Sequence, residues 1–297
     1  MTDMAITTAG HGAGGSRRVP ALASPRKRVS KAAASIVLAV IGAVFLIPLV
    51  WIVLSAFDPA TTVSVKIPSE PTLNNFSQVM TWELSFRPLW NSTVISFGTA
   101  ALTVLAAVLA AYPLSRFEMR FRKPFMYSIL FGTGLPITAM MVPVYALFVS
   151  LRLLNSIPGT ILFMSAAALP MAIWMTKNFM DSVPVSLEEA AWMDGASAMT
   201  ALRRIVVPLM RPGLGVVFIF VFTVAWGNFF VPFVLLFDSS KQPAAVAIFN
   251  FFGQYGTIAY GRLAAFSILY ATPVLALYVL VQRFSGGSFT MAGAVKG

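Results

Sequence analysis

Long stretches without a charged residue alternate with short charged segments along this chain. A helix needs about 20 apolar residues to cross the hydrocarbon core of a bilayer. Windows of about that length or more run over residues 32–57, 88–115, 124–151, 153–176, 212–237, 242–261 and 263–282. The pattern predicts an all-α polytopic membrane protein, with the lipid bilayer as its surroundings.

The window 242–261 differs from the others because polar residues and glycines interrupt it. Only Arg262 separates it from the next window, and two complete spans need a connection. We therefore expect 242–261 to be a surface or partly re-entrant segment. Six spans remain in a transmembrane domain of residues 32–283, at about 32–56, 90–115, 124–150, 154–176, 213–237 and 262–283.

Composition supports a membrane protein and narrows the chemistry. Of the 297 residues, 58% are hydrophobic and 10% are charged, against about 25% charged residues in soluble domains. The net charge of +11 would suggest nucleic acid in a soluble protein, but basic residues in a membrane protein set its topology. Cysteine is absent, and the single histidine, His11, lies in a Gly/Ala/Ser-rich tail. We predict no metal site, no catalytic residue and no nucleic-acid partner.

The Lys and Arg residues predict the orientation. Most of the 21 fall in the first 31 residues, after the second span, in the segment 177–211 and near the C-terminus. Because basic loops face the cytoplasm, we expect both termini and the loop 177–211 to be cytoplasmic. Residues 1–31 are predicted to be a disordered tail and 284–297 a C-tail. A cleaved signal peptide is the alternative for the start, but the first apolar run exceeds the roughly 7–15 residues of a signal core.

Apart from Arg262 and Arg283 at the two ends of the last one, the predicted spans contain no Asp, Glu, Lys or Arg. Ion-coupled transporters usually keep such groups on their pathway, so a self-powered secondary transporter is disfavoured. Prolines and glycines interrupt two of the spans, and broken membrane helices occur where backbone lines a cavity. These interruptions are candidates for a solute pathway, and ordinary kinked packing is the alternative. The candidate pathway residues are Gly132, Thr133, Gly134, Pro136, Trp226 and Asn228.

An energy source is missing from the sequence. A Walker A loop needs a Lys followed by Ser or Thr to hold phosphates, and no lysine here has that neighbour. A membrane enzyme would need grouped acids or histidines, whereas the predicted outside segments offer only scattered acids: Asp58, Glu70, Glu83 and Asp238. We expect neither enzyme activity nor a cofactor of its own, and any ATP-driven motor must be another polypeptide.

The loop 177–211 has the residue pattern of two short helices. Ser186 and Glu189 fit a capping box, and Gly195 can end the first helix. A second helix is expected over about 198–206. The first helix is acidic through Glu188, Glu189 and Asp194, which is unfavourable beside anionic lipid headgroups. The two short helices are predicted to form a rigid projection, called the knob below. The knob is therefore expected to contact a protein partner.

The loop also resembles the EAA loop of ABC importer permeases, whose pattern is E-A-A, three residues, G, nine residues and I-x-L-P. The spacing is kept, and Val207 stands where leucine is usual. The residues around Gly195 and the C-terminal sequence from Gln282 resemble those of the maltose-type second permease. The resemblance covers nearly the whole chain beyond the tail. It implies the six-helix fold of type I ABC importers, with an outside segment between spans five and six.

The resemblance also implies residue roles and partners. The loop would form a coupling helix that docks in a cleft of the ATPase subunit, with Glu189 as the charged contact and Gly195 as the bend. The positions implied in this coupling are Glu188, Glu189, Ala190, Ala191, Asp194, Gly195, Ala196, Ile205 and Pro208. Segment 239–258 would reach an extracytoplasmic solute-binding protein through Asn250, Gln254 and Tyr255. The C-tail would lie along the ATPase dimer interface.

The expected function is the import of a di- or oligosaccharide together with a second, homologous permease. ATP would be bound by the ATPase subunits. One alternative is a permease for another solute, such as a polyol or glycerol 3-phosphate. A phosphate ligand would favour Arg or Lys within the membrane, and the interiors of the predicted spans contain neither. A polytopic membrane enzyme and an uncoupled channel are further alternatives, and a channel would leave the acidic knob without a purpose.

Overall fold

The computed structural model describes residues 25–64, 66–252 and 258–284, and these ranges are built from helices and connecting turns. The predicted all-α class is confirmed for this part of the chain. The helices are α1 (Pro25–Ala56), α2 (Asn74–Val79), α3 (Arg87–Arg116), α4 (Arg122–Gly132), α5 (Ile137–Ser150), α6 (Ile157–Asp181), α7 (Ser186–Met193), α8 (Ala198–Ala201), α9 (Val207–Leu209), α10 (Arg211–Trp226), α11 (Phe230–Leu235), α12 (Ala244–Ala247) and α13 (Tyr260–Phe284). A π-helical turn leads into α3, a second joins α8 to α9, and a 3₁₀ turn follows α12.

Four of the described helices are long and apolar enough to cross a membrane: α1, α3 with its preceding turn, α6 and α13. Two further helix pairs pass the same test but are bent. The break between α4 and α5 turns the chain by 92°, and the break between the α8–α9 rod and α10 turns it by 79°. If each bent pair is one span, the described residues contain up to six.

Helix α1 begins earlier than the sequence pattern suggested. Its first residue is Pro25, so residues 25–31 of the predicted disordered tail are helical. Proline suits the first helical turn because it has no N–H that needs a partner there. Residues 1–24 and 285–297 lie outside the described residues, so the predicted tails are described only at their edges. The chain divides into two compact units at Val50. In the first unit, side chains 34–50 are exposed, as expected of apolar residues facing lipid.

The core of the second unit is the pair α3 and α6, with α10 packed against both. Small residues of α3 face this contact, among them Ala100, Thr103 and Ala107, and all three are buried. Small side chains let membrane helices approach closely. Ser165 of α6 then donates a hydrogen bond of 3.3 Å to the carbonyl of Thr99. Apolar residues of the three helices complete the core: Leu114, Ala172, Ile173, Val217, Val221, Phe222 and Trp226.

Helix α10 crosses α6 at a glycine. A Cβ added to Gly213 would lie 2.6 Å from Cγ of Phe179, whereas a Cβ on Gly215 would meet only Val281, at 3.9 Å. Real Cβ atoms do not approach a ring carbon that closely, so glycine is needed at position 213. This contact sets the start of α10 against the end of α6.

Two predicted boundaries are wrong by about a turn or more. Helix α6 continues to Asp181, so Lys177 lies in the helix and not in the loop predicted over 177–211. An ion pair between Lys177 and Asp181 supports this last turn. The predicted span 213–237 is not one helix, because α10 ends at Trp226 and α11 starts at Phe230.

Candidate functional site

Helix α7 forms the exposed tip of the segment between α6 and α10. Glu189, Ala190, Asp194 and Gly195 are exposed on it, and Met193 is the most open at 87%. Ala191 and Ala196 are half-buried. This surface combines two carboxylates with small side chains, which allow another backbone to approach. It therefore suits contact with a protein.

The predicted capping box does not form. Ser186 is the first residue of α7, Val185 precedes it, and no side chain caps the helix. The backbone N–H of Glu189, which a Ser186 cap would need, donates to the carbonyl of Val185 at 3.0 Å. The turn at Pro184 and Val185 already supplies carbonyl acceptors for the first turn, so the serine hydroxyl is not required.

Gly195 closes α7 in a left-handed conformation, with φ of +85°. Its N–H donates to the carbonyl of Trp192 at 3.0 Å, and the N–H of Ala196 donates to the carbonyl of Ala191 at 2.9 Å. This pair of bonds is the Schellman arrangement that ends many helices. A residue with a Cβ is strained at such a φ, so the predicted bend at Gly195 has a backbone cause.

The second part of the knob is a rod that runs from Ala198 to Leu209. Ser197 caps it by accepting a hydrogen bond from the N–H of Thr200 at 3.3 Å. The rod is longer than the predicted 198–206, and Pro208 lies inside it. Ile205 and Pro208 are half-buried. Buried residues hold the rod against α3 and α6: Val108, Ala111, Tyr112, Met180, Val183, Leu202, Val206 and Met210.

Glu188 points inward, which corrects the prediction that it belongs to the exposed acidic face. Its Oε1 lies 2.5 Å from Nε of Arg116, and the two side chains are 0% and 2% exposed. Tyr112 donates a hydrogen bond of 2.9 Å to the other carboxylate oxygen. Arg116 also donates to the carbonyl of Val183 at 3.1 Å. Glu188 therefore anchors α7 to the end of α3 and is not available to a soluble partner.

A second polar contact lies beside this anchor. Ser115 donates a hydrogen bond of 2.6 Å to Asp181, and Asp181 pairs with Lys177. Arg116 in turn donates to the hydroxyl of Ser115 at 3.2 Å. The end of α3 is thus tied both to α6 and to α7, so a force on α7 reaches the spans through fixed contacts.

The two predicted helix interruptions are present but differ in exposure. Gly132, Thr133, Gly134 and Pro136 are exposed at the bend between α4 and α5. Trp226 is buried instead. Its indole stacks between the rings of Phe222 and Tyr270, with centroids 5.6 and 5.5 Å away. Trp226 is thus a core residue in this structure, which does not fit the expectation that it lines a pathway.

Asn228 lines a small cavity of about 170 Å³ between α3, α5, α6, α10 and α11. Its Oδ1 accepts a hydrogen bond of 3.0 Å from the N–H of Val231 and so caps α11. Thr99 of α3 lines the same cavity, and its buried hydroxyl has no partner among the described residues. Thr99 was not among the predicted pathway residues, because a single threonine in an apolar helix carries no distinguishing signal.

The segment after α11 is anchored by α3. Asn91 donates to the carbonyls of Ser240 and Gln242 at 2.9 and 3.1 Å, and Ser92 accepts from the N–H of Ala244 at 2.8 Å. The pKa of Asp238 lies below its ordinary value, chiefly because the backbone N–H of Ser240 donates to its carboxylate.

Residues 244–251 form α12 and the 3₁₀ turn, neither of which could span a membrane. Of the predicted binding-protein contacts, Gln254 and Tyr255 lie outside the described residues, and Asn250 is described in its backbone alone.

Comparison with known proteins identifies this architecture. Residues 103–287 match the family described as binding-protein-dependent transport system inner membrane component. The chain belongs to this family. As a member it is an inner-membrane transport subunit that works with a binding protein. The matched range includes the knob of α7 to α9, part of α3, and the helices from α6 onward.

Named relatives of this family are similar over most of their length. The trehalose transport system permease protein SugB of Mycobacterium tuberculosis is 32% identical over 85% of this chain and 93% of its own. The diacetylchitobiose uptake system permease protein NgcG of Streptomyces coelicolor is 29% identical, over 82% of each chain.

A solved structure has the same fold. A chain of a bacterial ABC transporter involved in the import of the acidic polysaccharide alginate superposes with a TM-score of 0.77. It covers 89% of this chain and 99% of its own, at 22% sequence identity. A likeness at this identity concerns the fold alone.

Proposed function

We propose that this chain is the permease subunit of a bacterial ATP-driven importer that moves a di- or oligosaccharide across the cytoplasmic membrane by alternating access. Membership of the binding-protein-dependent family supports the importer. Relatives named for trehalose and diacetylchitobiose support the sugar. The predicted spans carry no charged residue in their interiors, which suits a neutral, hydroxyl-rich solute better than an anion.

The observation that carries the proposal is the anchored knob. Helix α7 exposes Glu189 and Asp194, Gly195 fixes its end, and the buried contact of Glu188 with Arg116 ties it to α3. An exposed acidic helix held rigidly on the spans is suited to receive a push from a soluble motor. We propose that an ATPase dimer docks here and binds the ATP, so that this chain needs no cofactor of its own and performs no bond chemistry.

The topology we propose has six spans: α1, α3, the bent pair α4–α5, α6, α10 together with α11, and α13. Both termini lie in the cytoplasm. The distribution of Lys and Arg supports this orientation. A second, homologous permease completes the pathway. The segment anchored by Asn91 and Ser92 would face outward and meet the solute-binding protein through Asn250, Gln254 and Tyr255.

The proposed solute pathway passes the exposed bend of Gly132, Thr133, Gly134 and Pro136. Asn228 and the newly identified Thr99 lie at the cavity nearby. A hydroxyl and an amide can exchange hydrogen bonds with a sugar.

Uptake by a deletion strain tests the solute. Cells lacking this chain, and the same cells complemented with it, are given labelled trehalose, maltose, diacetylchitobiose and glycerol 3-phosphate. We expect the uptake of one di- or oligosaccharide to be lost in the deletion strain and restored in the complemented strain. Loss confined to glycerol 3-phosphate would contradict sugar import and support the polyol-phosphate alternative.

A charge reversal tests the docking of the motor. Glu189→Lys should release the ATPase subunit when the transporter is captured in detergent, because the contact surface loses a carboxylate and gains a cation. Glu70→Lys changes another exposed acid, on the predicted opposite side of the membrane, and should leave capture unchanged. Full retention of the ATPase by Glu189→Lys would contradict the proposed contact.

A further inference from the structure

Two clefts meet where α3 ends and α4 begins. One has a volume of about 730 Å³ and is lined by the connecting segment, the start of α4 and the end of α6. The other has a volume of about 660 Å³ and lies along the last turns of α3. They share Met119, Arg120 and Arg122 as a common border. The two clefts therefore form one continuous surface depression with two differently lined halves.

The larger half carries a surplus of positive charge. Arg120, Arg122, Lys123 and Lys177 line it, against the single carboxylate of Glu118. Lys177 is paired with Asp181. Within the described ranges no carboxylate lies within 4.0 Å of the two arginines or of Lys123. Arg120 lies over the ring of Phe121, with its guanidinium carbon 6.0 Å from the ring centroid. Without a carboxylate partner there, the three cations can bind an anion, and arginine in particular matches the oxygen geometry of phosphate.

The smaller half is apolar. Its walls are Ala110, Pro113 and Leu114 of α3, together with Phe121 and Phe125. Phe121 is 72% exposed, and an aromatic ring so open to water would be unfavourable without a hydrocarbon neighbour. This half suits an acyl chain.

Two aromatic residues mark the depth of the site. Trp174 of α6 and Tyr127 of α4 line the basic half and are both exposed. Tryptophan and tyrosine are enriched at the level of the lipid headgroups. Under the orientation proposed above, the depression lies at the cytoplasmic leaflet, where the anionic lipids are concentrated.

We propose that this depression binds an anionic phospholipid, with its phosphate among Arg120, Arg122 and Lys123 and an acyl chain along Pro113, Leu114 and Phe125. A soluble anion would use the basic half and leave the apolar half exposed. Only an amphiphile fills both. The site does not depend on which solute is transported, but its leaflet rests on the proposed function through the orientation.

Lipid retention by the full-length chain tests the site. The purified chain is mixed with a photoactivatable phosphatidylglycerol in neutral detergent, and the bound fraction is measured by mass spectrometry. The double variant Arg122→Gln/Lys123→Gln should bind about 30-fold more weakly, the equivalent of about 2 kcal/mol for two cations at 1.4 kcal/mol per tenfold. Arg203→Gln/Arg204→Gln removes two exposed cations of the knob instead and should retain parental binding.

The apolar half is tested separately. Phe125→Gln should also weaken lipid binding, because the acyl chain loses an aromatic wall. Photoactivatable phosphatidylcholine should bind poorly, and excess inorganic phosphate should not displace the lipid. The conservative variant Arg122→Lys should keep most of the binding and so separates loss of charge from misfolding.

Several outcomes would overturn the proposal. Equal binding by the parent and by Arg122→Gln/Lys123→Gln would remove the headgroup site, and equal loss in Arg203→Gln/Arg204→Gln would indicate general surface charge. Complete displacement by inorganic phosphate would indicate a soluble anion. The assay measures no uptake, so its failure is distinguishable from failure of the sugar-import proposal.

Discussion

Replacing Glu188 with alanine tests whether a buried ion pair holds α7 on the spans. The carboxylate receives Nε of Arg116 at 2.5 Å and the hydroxyl of Tyr112 at 2.9 Å. Neither charged side chain is more than 2% exposed. The truncation would leave the guanidinium buried with only neutral partners, the carbonyl of Val183 and the hydroxyl of Ser115.

The expected cost follows from that burial. Removing one partner of a buried ion pair costs about 3–5 kcal/mol, because the remaining charge is desolvated without compensation. The chain offers a matched control in Glu83 and Arg87, which pair at 2.8 Å but are 68% and 30% exposed. Glu83→Ala should cost no more than about 0.5 kcal/mol. The double replacement Arg116→Met/Glu188→Leu removes both charges and should recover most of the loss.

These differences are measured by thermal unfolding in detergent, in which size-exclusion chromatography monitors the loss of folded protein. For a domain of this size each kcal/mol shifts the midpoint by about 2–4 °C, so Glu188→Ala should melt roughly 6–20 °C below the parent. Sugar uptake by the same variant should fall at growth temperature. If Glu188→Ala and Glu83→Ala have the same melting midpoint as the parent, the ion pair does not hold α7 and the reasoning from burial is wrong.

Further predictions concern the backbone, packing and orientation. Gly195→Val should abolish uptake while the chain stays in the membrane fraction on an immunoblot, because φ of +85° strains a β-branched residue; normal uptake would contradict the role of this turn. Gly213→Ala should destabilise the fold by about 1–3 kcal/mol through overpacking and so lower the melting midpoint, whereas Gly215→Ala should not; equal midpoints would refute the close crossing of α6 and α10. The chain has no native cysteine, so Met193→Cys should react with an impermeant maleimide only in permeabilised cells, and Ile67→Cys in intact ones; the reverse pattern would overturn the proposed orientation.

Sequence reasoning worked where the physical cause is local. A charge-free apolar run predicts a membrane helix because the bilayer excludes unpaired charge, and the interruption at Gly132–Pro136 appears as the 92° break between α4 and α5. The bend at Gly195 was likewise predictable, since a glycine after a helical pattern supplies the left-handed residue that ends a helix. The family resemblance added the knob's role, which no local pattern contains.

The errors arose where backbone geometry or helix packing decided the outcome. The capping box at Ser186 failed because the turn at Pro184 had already supplied backbone acceptors. Trp226 appeared to belong to a broken, polar stretch, yet aromatic stacking with α13 buries it. Both residues had the right type for the predicted role, and their neighbours in the fold gave them another.

By itself, then, the sequence determined the class of protein, the approximate spans and the place of the exposed segment between α6 and α10, because each depends on the composition of a continuous stretch. Only the tertiary structure decided which acid of the Glu188–Glu189 pair faces outward. That choice depends on Arg116, which is 72 residues away along the chain and comes within 2.5 Å only when α7 packs on the end of α3. The three cations of the depression are neighbours in the sequence, whereas Trp174 and Lys177 of α6 join them only in the fold.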